Sequence, residues 1–247
     1  MFAVATHSRL RSPGAFPAML RATLSVRRDL ARTRGLLRVA NAIAGPTELF
    51  TFTIWETRDA MLEFMRSGAH QEVMWRWPQW LSAFWLARLA PSAPESGAWR
   101  GLVVGRVAAR GGTAHPEFVP PAFASREPRP RDLTRRPVGA SISVVRPDHG
   151  WRWPAALAAH RRDAAWVDRA PGLLMRARGW SLDGELVTLA FWRDAEAAAR
   201  AVETCGPRSG LAVWAMAWRP LDEFGTWDGR RLRVLLSERA SDDDPEP

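Results

Sequence analysis

Few side chains in this chain can do chemistry, and their types and neighbours narrow the choice. There are 5 histidines and 1 cysteine in 247 residues; all 35 basic residues are arginine, and tyrosine is absent. No Cys/His cluster has zinc-ligand spacing, and no paired carboxylates, glycine-rich phosphate loop or Ser/His/Asp set stands out. Cys205, in Thr-Cys-Gly-Pro, lacks a His or Asn context and reads as a small buried residue. His70 stands apart. It follows Gly68 by two positions near the end of an amphipathic stretch, where a neutral ring can serve as base or ligand, or simply cap a helix. His7 ends a strand-like run, whereas His115, His149 and His160 fall in solvated settings.

Tryptophan is the second unusual feature. The chain holds 14, and Trp75, Trp77, Trp80 and Trp85 lie within eleven residues. Indoles at that density wall an apolar pocket, pack a core or cover a dimer contact, and a membrane-docking patch is a further reading. Trp55 and Trp192 read as structural, closing the sheet where each following helix begins. Arg38 and Arg176 hold nearly matching places in two such runs and suit either a bound anion or the surface.

An internal repeat supplies the elements that position these residues. Trp55 follows Gly35-Leu36-Leu37, and Trp192 follows Gly172-Leu173-Leu174, each tryptophan 20 positions after the glycine. Both tryptophans end strand-like runs (LFTFTIW, LVTLAFW), and an acidic helix start follows each. Gly-Ala-Trp-Arg-Gly at 97–101 and Gly-Thr-Trp-Asp-Gly at 225–229 complete the parallel. Each copy reads β-α-β-β-α-β: in the first, 2–7, 13–31, 35–43, 49–55, 58–73 and 83–90; in the second, 141–146, 154–168, 173–178, 185–192, 195–204 and 211–219. Trp99 follows Trp55 by 44 positions and Trp227 follows Trp192 by 35, so the first copy carries about nine extra residues, near 74–82.

That order is the ferredoxin-like βαββαβ unit, whose sheet keeps one bare apolar face. Two units bury those faces against each other, so the expected class is α+β: tandem ferredoxin-like repeats forming an intramolecular barrel around a cavity. The expected division is a first module over 1–112, a Pro/Arg-rich linker over 113–137, a second, degenerate module over 138–236 and an acidic disordered tail over 237–247. Net charge is +9, but the basic residues are scattered and no recognised motif accompanies them, so no nucleic-acid partner is expected. No run is long enough for a membrane-spanning helix and no basic region precedes the first apolar run, which gives a cytoplasmic expectation.

The run Thr51-Phe52-Thr53-Ile54-Trp55-Glu56, with Met61, Phe64, Gly68 and His70 after it, resembles the antibiotic-biosynthesis monooxygenase-like dimeric α+β barrel superfamily. More specifically it is similar to the spheroidene monooxygenase-like branch, with its T-F-S-I-W strand, A-M-x-x-F helix, G-x-H step, A-R-F strand and G-T-W-x-G element. The last two read Ala87-Arg88-Leu89 and Gly97-Ala98-Trp99-Arg100-Gly101 here. Leu89 replaces the family's phenylalanine, and the His-bearing half comes first rather than second. The resemblance implies a monooxygenase-type oxidoreductase acting on a bulky apolar or aromatic small molecule, such as a carotenoid or polyketide. It further implies haem, with His70 as iron ligand, Arg38 near the propionates and Trp55, Trp75, Trp77 and Trp80 around the substrate. A cofactor-independent oxygenase or isomerase, and a non-catalytic binding or assembly protein, are the alternatives the same fold allows. A peripheral membrane contact and a homodimer are the further partner expectations.

Overall fold

The computed structural model describes residues 1–66, 68–108, 131–136 and 138–238. In the first module β1 (Phe2–Leu10) leads through a short 3-10 turn into α1 (Phe16–Leu30). A hairpin of β2 (Leu36–Ile43) and β3 (Glu48–Trp55) follows, then α2 (Arg58–Met65), α3 (Gly68–Trp80), β4 (Leu81–Gly97) and the short α4 (Val104–Ala108). A two-residue β5 (Arg131–Asp132) precedes the second module. That module runs β6 (Gly139–Pro147), α5 (Trp153–Arg169), β7 (Leu173–Ser181), β8 (Leu186–Trp192), α6 (Ala195–Thr204), β9 (Leu211–Gly225) and α7 (Leu232–Glu238).

The strands form one antiparallel sheet in the order β4-β1-β3-β2-β7-β8-β6-β9, which closes because β4 also pairs with β9. The two modules thus meet along a long seam, β4–β9, and a short one where Ala42 faces Ser181 and Ile43 faces Trp180. β5 adds to the outer edge of β9, so the end of the expected linker is structured, with Leu133 fully buried. The rest of that linker and the tail from 239 lie outside the described residues.

Similar contacts recur in the two halves. Gly35 and Gly172 both have positive φ (79° and 83°), and each carbonyl accepts the N–H of the residue after the strand-ending tryptophan. Thr57 and Asp194 cap α2 and α6 through their side chains. Gly97 and Gly225 lie so close to the opposite strand that a Cβ would come 2.0 and 2.1 Å from the carbonyl oxygens of Val213 and Phe84. Across the same seam Glu95 accepts the indole N–H of Trp214 and Glu223 that of Trp85. Each carboxylate then caps the helix nine residues on, α4 through Val104 N and α7 through Leu232 N. The recurring E-x-G-x-W-x-G is therefore the sequence of the seam itself.

Two expectations about shape need correction. The barrel interior is not hollow. Alternate residues of every long strand, among them Phe50, Phe52, Ile54, Trp85, Leu89, Ile142, Leu189, Phe191 and Trp218, fill it as one buried cluster. An eight-stranded barrel is just wide enough for its own side chains, and here large aromatics take that space. The stretch 58–73 is likewise two helices rather than one. The chain turns at Gly68 (φ 53°), and the expected tryptophan-rich insertion becomes the second half of α3, leading directly into β4.

Candidate functional site in the first module

The cavity lies on the other side of the sheet. A space of about 310 Å³ separates the outward face of β1, β2, β3 and β4 from α1, α2 and α3. Strand alternation makes its two walls unlike. Phe50, Phe52 and Ile54 point into the barrel, so Thr51 and Thr53 point out, joined by Thr6, Ser8 and Asn41 as a polar floor. The helical roof is apolar: Met19 and Leu20 from α1, Met61 and Phe64 from α2, Val73 and Trp77 from α3. The second module closes the equivalent space. Its α6 presents Ala197, Ala198 and Ala201, which settle on Ala190, Ala215 and Ala217. Arg178 faces Thr188 in the register where Asn41 faces Thr51. Bulky helix residues hold the roof off the floor in one copy; alanines let it close in the other.

His70 is in the wall. His70, Val73, Met74 and Trp77, at i, i+3, i+4 and i+7 of α3, all line the cavity. The Nδ1 of His70 lies 3.3 Å from the Met65 carbonyl oxygen, which can only accept, so Nδ1 carries the proton and Nε2 the lone pair. The ring centroid lies 4.8 Å from Phe64 and 6.4 Å from Trp77. Burial among these groups lowers the imidazole pKa below its ordinary value, with the Met65 carbonyl opposing. The start of α3 is fixed by Asp29 of α1, whose carboxylate accepts the Ala69 N–H at 2.8 Å. About two turns of helix further on, Trp77 Nε1 is buried with no acceptor among the described residues.

The other expected site residues separate. Trp55 lines the cavity, fully buried, its N–H donated to Thr53 Oγ1 at 2.8 Å. Trp80 packs instead with Leu10, Met19 and Leu81 below the cavity. Trp75 points away into solvent, and its place in the expected pocket wall is corrected: residues 75 and 77 lie on different sides of a helix. Arg38 does not line the cavity. Its guanidinium donates to the carbonyls of Trp99 and Arg100, bracing the loop after β4. His7 is inside the barrel, stacked on Trp227 at 4.2 Å with no partner for Nδ1 among the described residues, and burial lowers its pKa to about 4.

The polar floor was missed in the sequence reading. Arg27 donates to Asn41 Oδ1 at 3.2 Å, Asn41 Nδ2 donates to Thr51 Oγ1 at 3.1 Å, and Arg27 also binds Asp183 of the second module at 2.5 Å. Two signals pointed there: Asn41 is the single asparagine, and the threonines alternate with the aromatics of the β3 run. Arg88 also lines the cavity, its charge met by a two-pronged contact with Asp222. Among the described residues no group of three or more His, Cys, Asp or Glu gathers as for a metal ion, and no helix is long and apolar enough to cross a membrane.

No protein-family model and no curated protein matches the chain. Solved structures do. An aldoxime dehydratase superposes with a TM-score of 0.55 at 11% identity, covering 90% of this chain and 84% of that one. A second, an aldoxime dehydratase in complex with butyraldoxime, gives 0.54 at 11% identity, covering 92% and 83%. SnoaB, a cofactor-independent oxygenase from Streptomyces nogalater, matches 38% of this chain and 94% of its own at 9% identity and a TM-score of 0.33. The closed eight-stranded sheet, its longer helices on the outside and its tandem βαββαβ order make this chain a dimeric α+β barrel built within a single polypeptide.

Proposed function

We propose that the chain is a monooxygenase-type oxidoreductase that holds a bulky apolar or aromatic molecule between sheet and helices of its first module, where His70 would hold the iron of a haem. The observation that carries this reading is the His70 ring in the cavity wall, with Nδ1 held by the Met65 carbonyl and Nε2 without a hydrogen-bond partner among the described residues. A backbone carbonyl on the far ring nitrogen is the arrangement that orients a ligating histidine. The donor chemistry therefore fits: one imidazole, kept neutral by burial, beside an apolar space.

Haem, when bound, supplies oxygen activation. The chain's own groups do the rest. Met61, Phe64 and Val73 exclude water from the roof, and the Thr51, Thr53 and Asn41 floor presents hydroxyl and amide groups to a polar edge of the substrate. The unpaired Trp77 N–H offers a donor on the opposite side. A buried donor without an acceptor costs about 1–3 kcal/mol, so a ligand oxygen that meets it gains in affinity. That donor and the polar floor also favour a second reading, a cofactor-independent oxygenase or isomerase that orients its substrate by hydrogen bonds alone.

Hemin titration separates the two. A Soret band that saturates at one haem per chain and is lost in His70→Ala supports the haem reading. An unchanged band in His70→Ala, or none in the wild type, overturns it. Oxygen uptake by haem-free, metal-free protein supplied with an aromatic substrate then supports the second reading.

A further inference from the structure

The mouth of the cavity coincides with the most exposed apolar groups of the first module. Met74 lines the cavity yet is 37% exposed, which places an opening beside α3. Trp75, the next residue, is 77% exposed, and Leu24 of α1 is 45% exposed one helical turn beyond Leu20, another cavity residue. α1 packs against α3, so the two helices that carry these side chains are neighbours. Single exposed apolar residues are ordinary, but an indole with three-quarters of its surface in water, beside an opening to an apolar cavity, is a costly arrangement for a molecule that stays in bulk water.

Charge on the same face identifies what would cover it. α1 and the turn after it carry Arg21, Arg27, Arg28, Arg32 and Arg34 against one carboxylate, Asp29. Asp29 is engaged in capping α3, and Arg27 in binding Asp183 and Asn41. Arg21 and Arg28 are exposed on the same side of α1 as Leu24, at i−3 and i+4, and Arg76 is exposed beside Trp75. Indole and leucine flanked by arginines is the composition of a surface that lies in a lipid headgroup layer. Each arginine held near an anionic bilayer strengthens binding by about fivefold.

We propose that the α1–α3 face docks on an anionic lipid surface, seating Leu24, Met74 and Trp75 among the headgroups with the cavity mouth turned toward the membrane. An apolar molecule then passes between bilayer and cavity without crossing water. The docking stands on the exposed face and the opening, independently of whether His70 holds iron.

The test is co-sedimentation of the full chain with vesicles of equal parts phosphatidylglycerol and phosphatidylcholine, against phosphatidylcholine alone. Binding to the mixed vesicles, weakened by salt and reduced roughly tenfold or more in the R21A/R28A variant, is expected. Loss of binding is likewise expected in L24Q/W75Q, two surface changes that leave the fold's buried contacts intact. No binding to the mixed vesicles overturns the proposal, as does equal binding by L24Q/W75Q. Self-association that Trp75→Gln abolishes, with no lipid binding, would assign the face to a second copy. Retention of an oligonucleotide but not of vesicles would assign it to nucleic acid. Either result also overturns the proposal.

Discussion

At the scale of single residues, the structure gives the histidines different settings. His70 borders a cavity and keeps one nitrogen available. His7 is sealed in the barrel, and its folded-state pKa of about 4 lies below the ordinary 6.5. His160, on α5, is likewise lowered to about 4, chiefly by burial. Between those values the unfolded chain binds protons that the folded chain refuses, so stability rises with pH there. The contribution is fully present above pH 6.5, is lost as pH falls toward about 4, and changes no further below it. For His7 it amounts to about 3 kcal/mol, from a shift of about 2.5 units. His7→Phe, which keeps a ring against Trp227, should flatten this acid limb in urea unfolding series between pH 4 and 6.5. An unchanged limb would place the proton uptake elsewhere. The tryptophans divided in the same way, because the sequence marks their density but not their direction. Trp77 faces the cavity and Trp75 solvent because residues two apart on a helix stand about 200° apart.

At the scale of elements, the strands and most helices could be read from the sequence because their periodicity is written in side chains that face a core. β3 alternates threonine with Phe50, Phe52 and Ile54, and its span was expected to within a residue. In the second module all six expected elements are present, α6 to the residue, but β7 runs to Ser181 and β9 to Gly225, three and six residues past their expected ends, and α7 was not expected. The break between α2 and α3 was not foreseen. It depends on Gly68 adopting φ 53° and on Asp29, 39 residues earlier, reaching back to cap the new helix. Such a long-range contact leaves no local trace. Gly68→Ala would both strain a positive φ and bring a Cβ within 2.5 Å of the Asp29 carboxylate. A loss of about 1–3 kcal/mol in chemical denaturation is expected, with weaker hemin binding because α3 carries His70. Asp29→Ala removes the cap alone and should cost about 1 kcal/mol, with the same direction of effect on binding. Full hemin affinity in both variants would show that the start of α3 does not position the histidine.

At the scale of the whole molecule, the fold was legible from the repeat, but the location of its cavity was not. Sheet faces that bury each other were expected to enclose a hollow. The aromatic content of the inward positions fills it, and whether eight strands leave room is decided by packing rather than by pattern. The vacant space moved to the outer face, where the two copies differ in the bulk of one helix: Met61 and Phe64 against Ala198 and Ala201. The pseudo-symmetric seam carries its own prediction. Glu95→Ala and Glu223→Ala each strip an indole N–H and two helix N–H groups of their acceptor, a half-buried carboxylate at Glu95 and a fully buried one at Glu223. Each should cost about 2–4 kcal/mol in thermal or denaturant unfolding, and the two costs should be similar. A large loss from one and none from the other would mean that the halves do not share the seam equally.

The central claim is that one space, between the first module's sheet and α3, receives the bound group. A crystal structure of the hemin-treated full chain tests it most directly. Planar density against Val73 and Trp77 with iron on His70 Nε2 is the expected result. Density inside the barrel, or between α6 and its sheet, would contradict it.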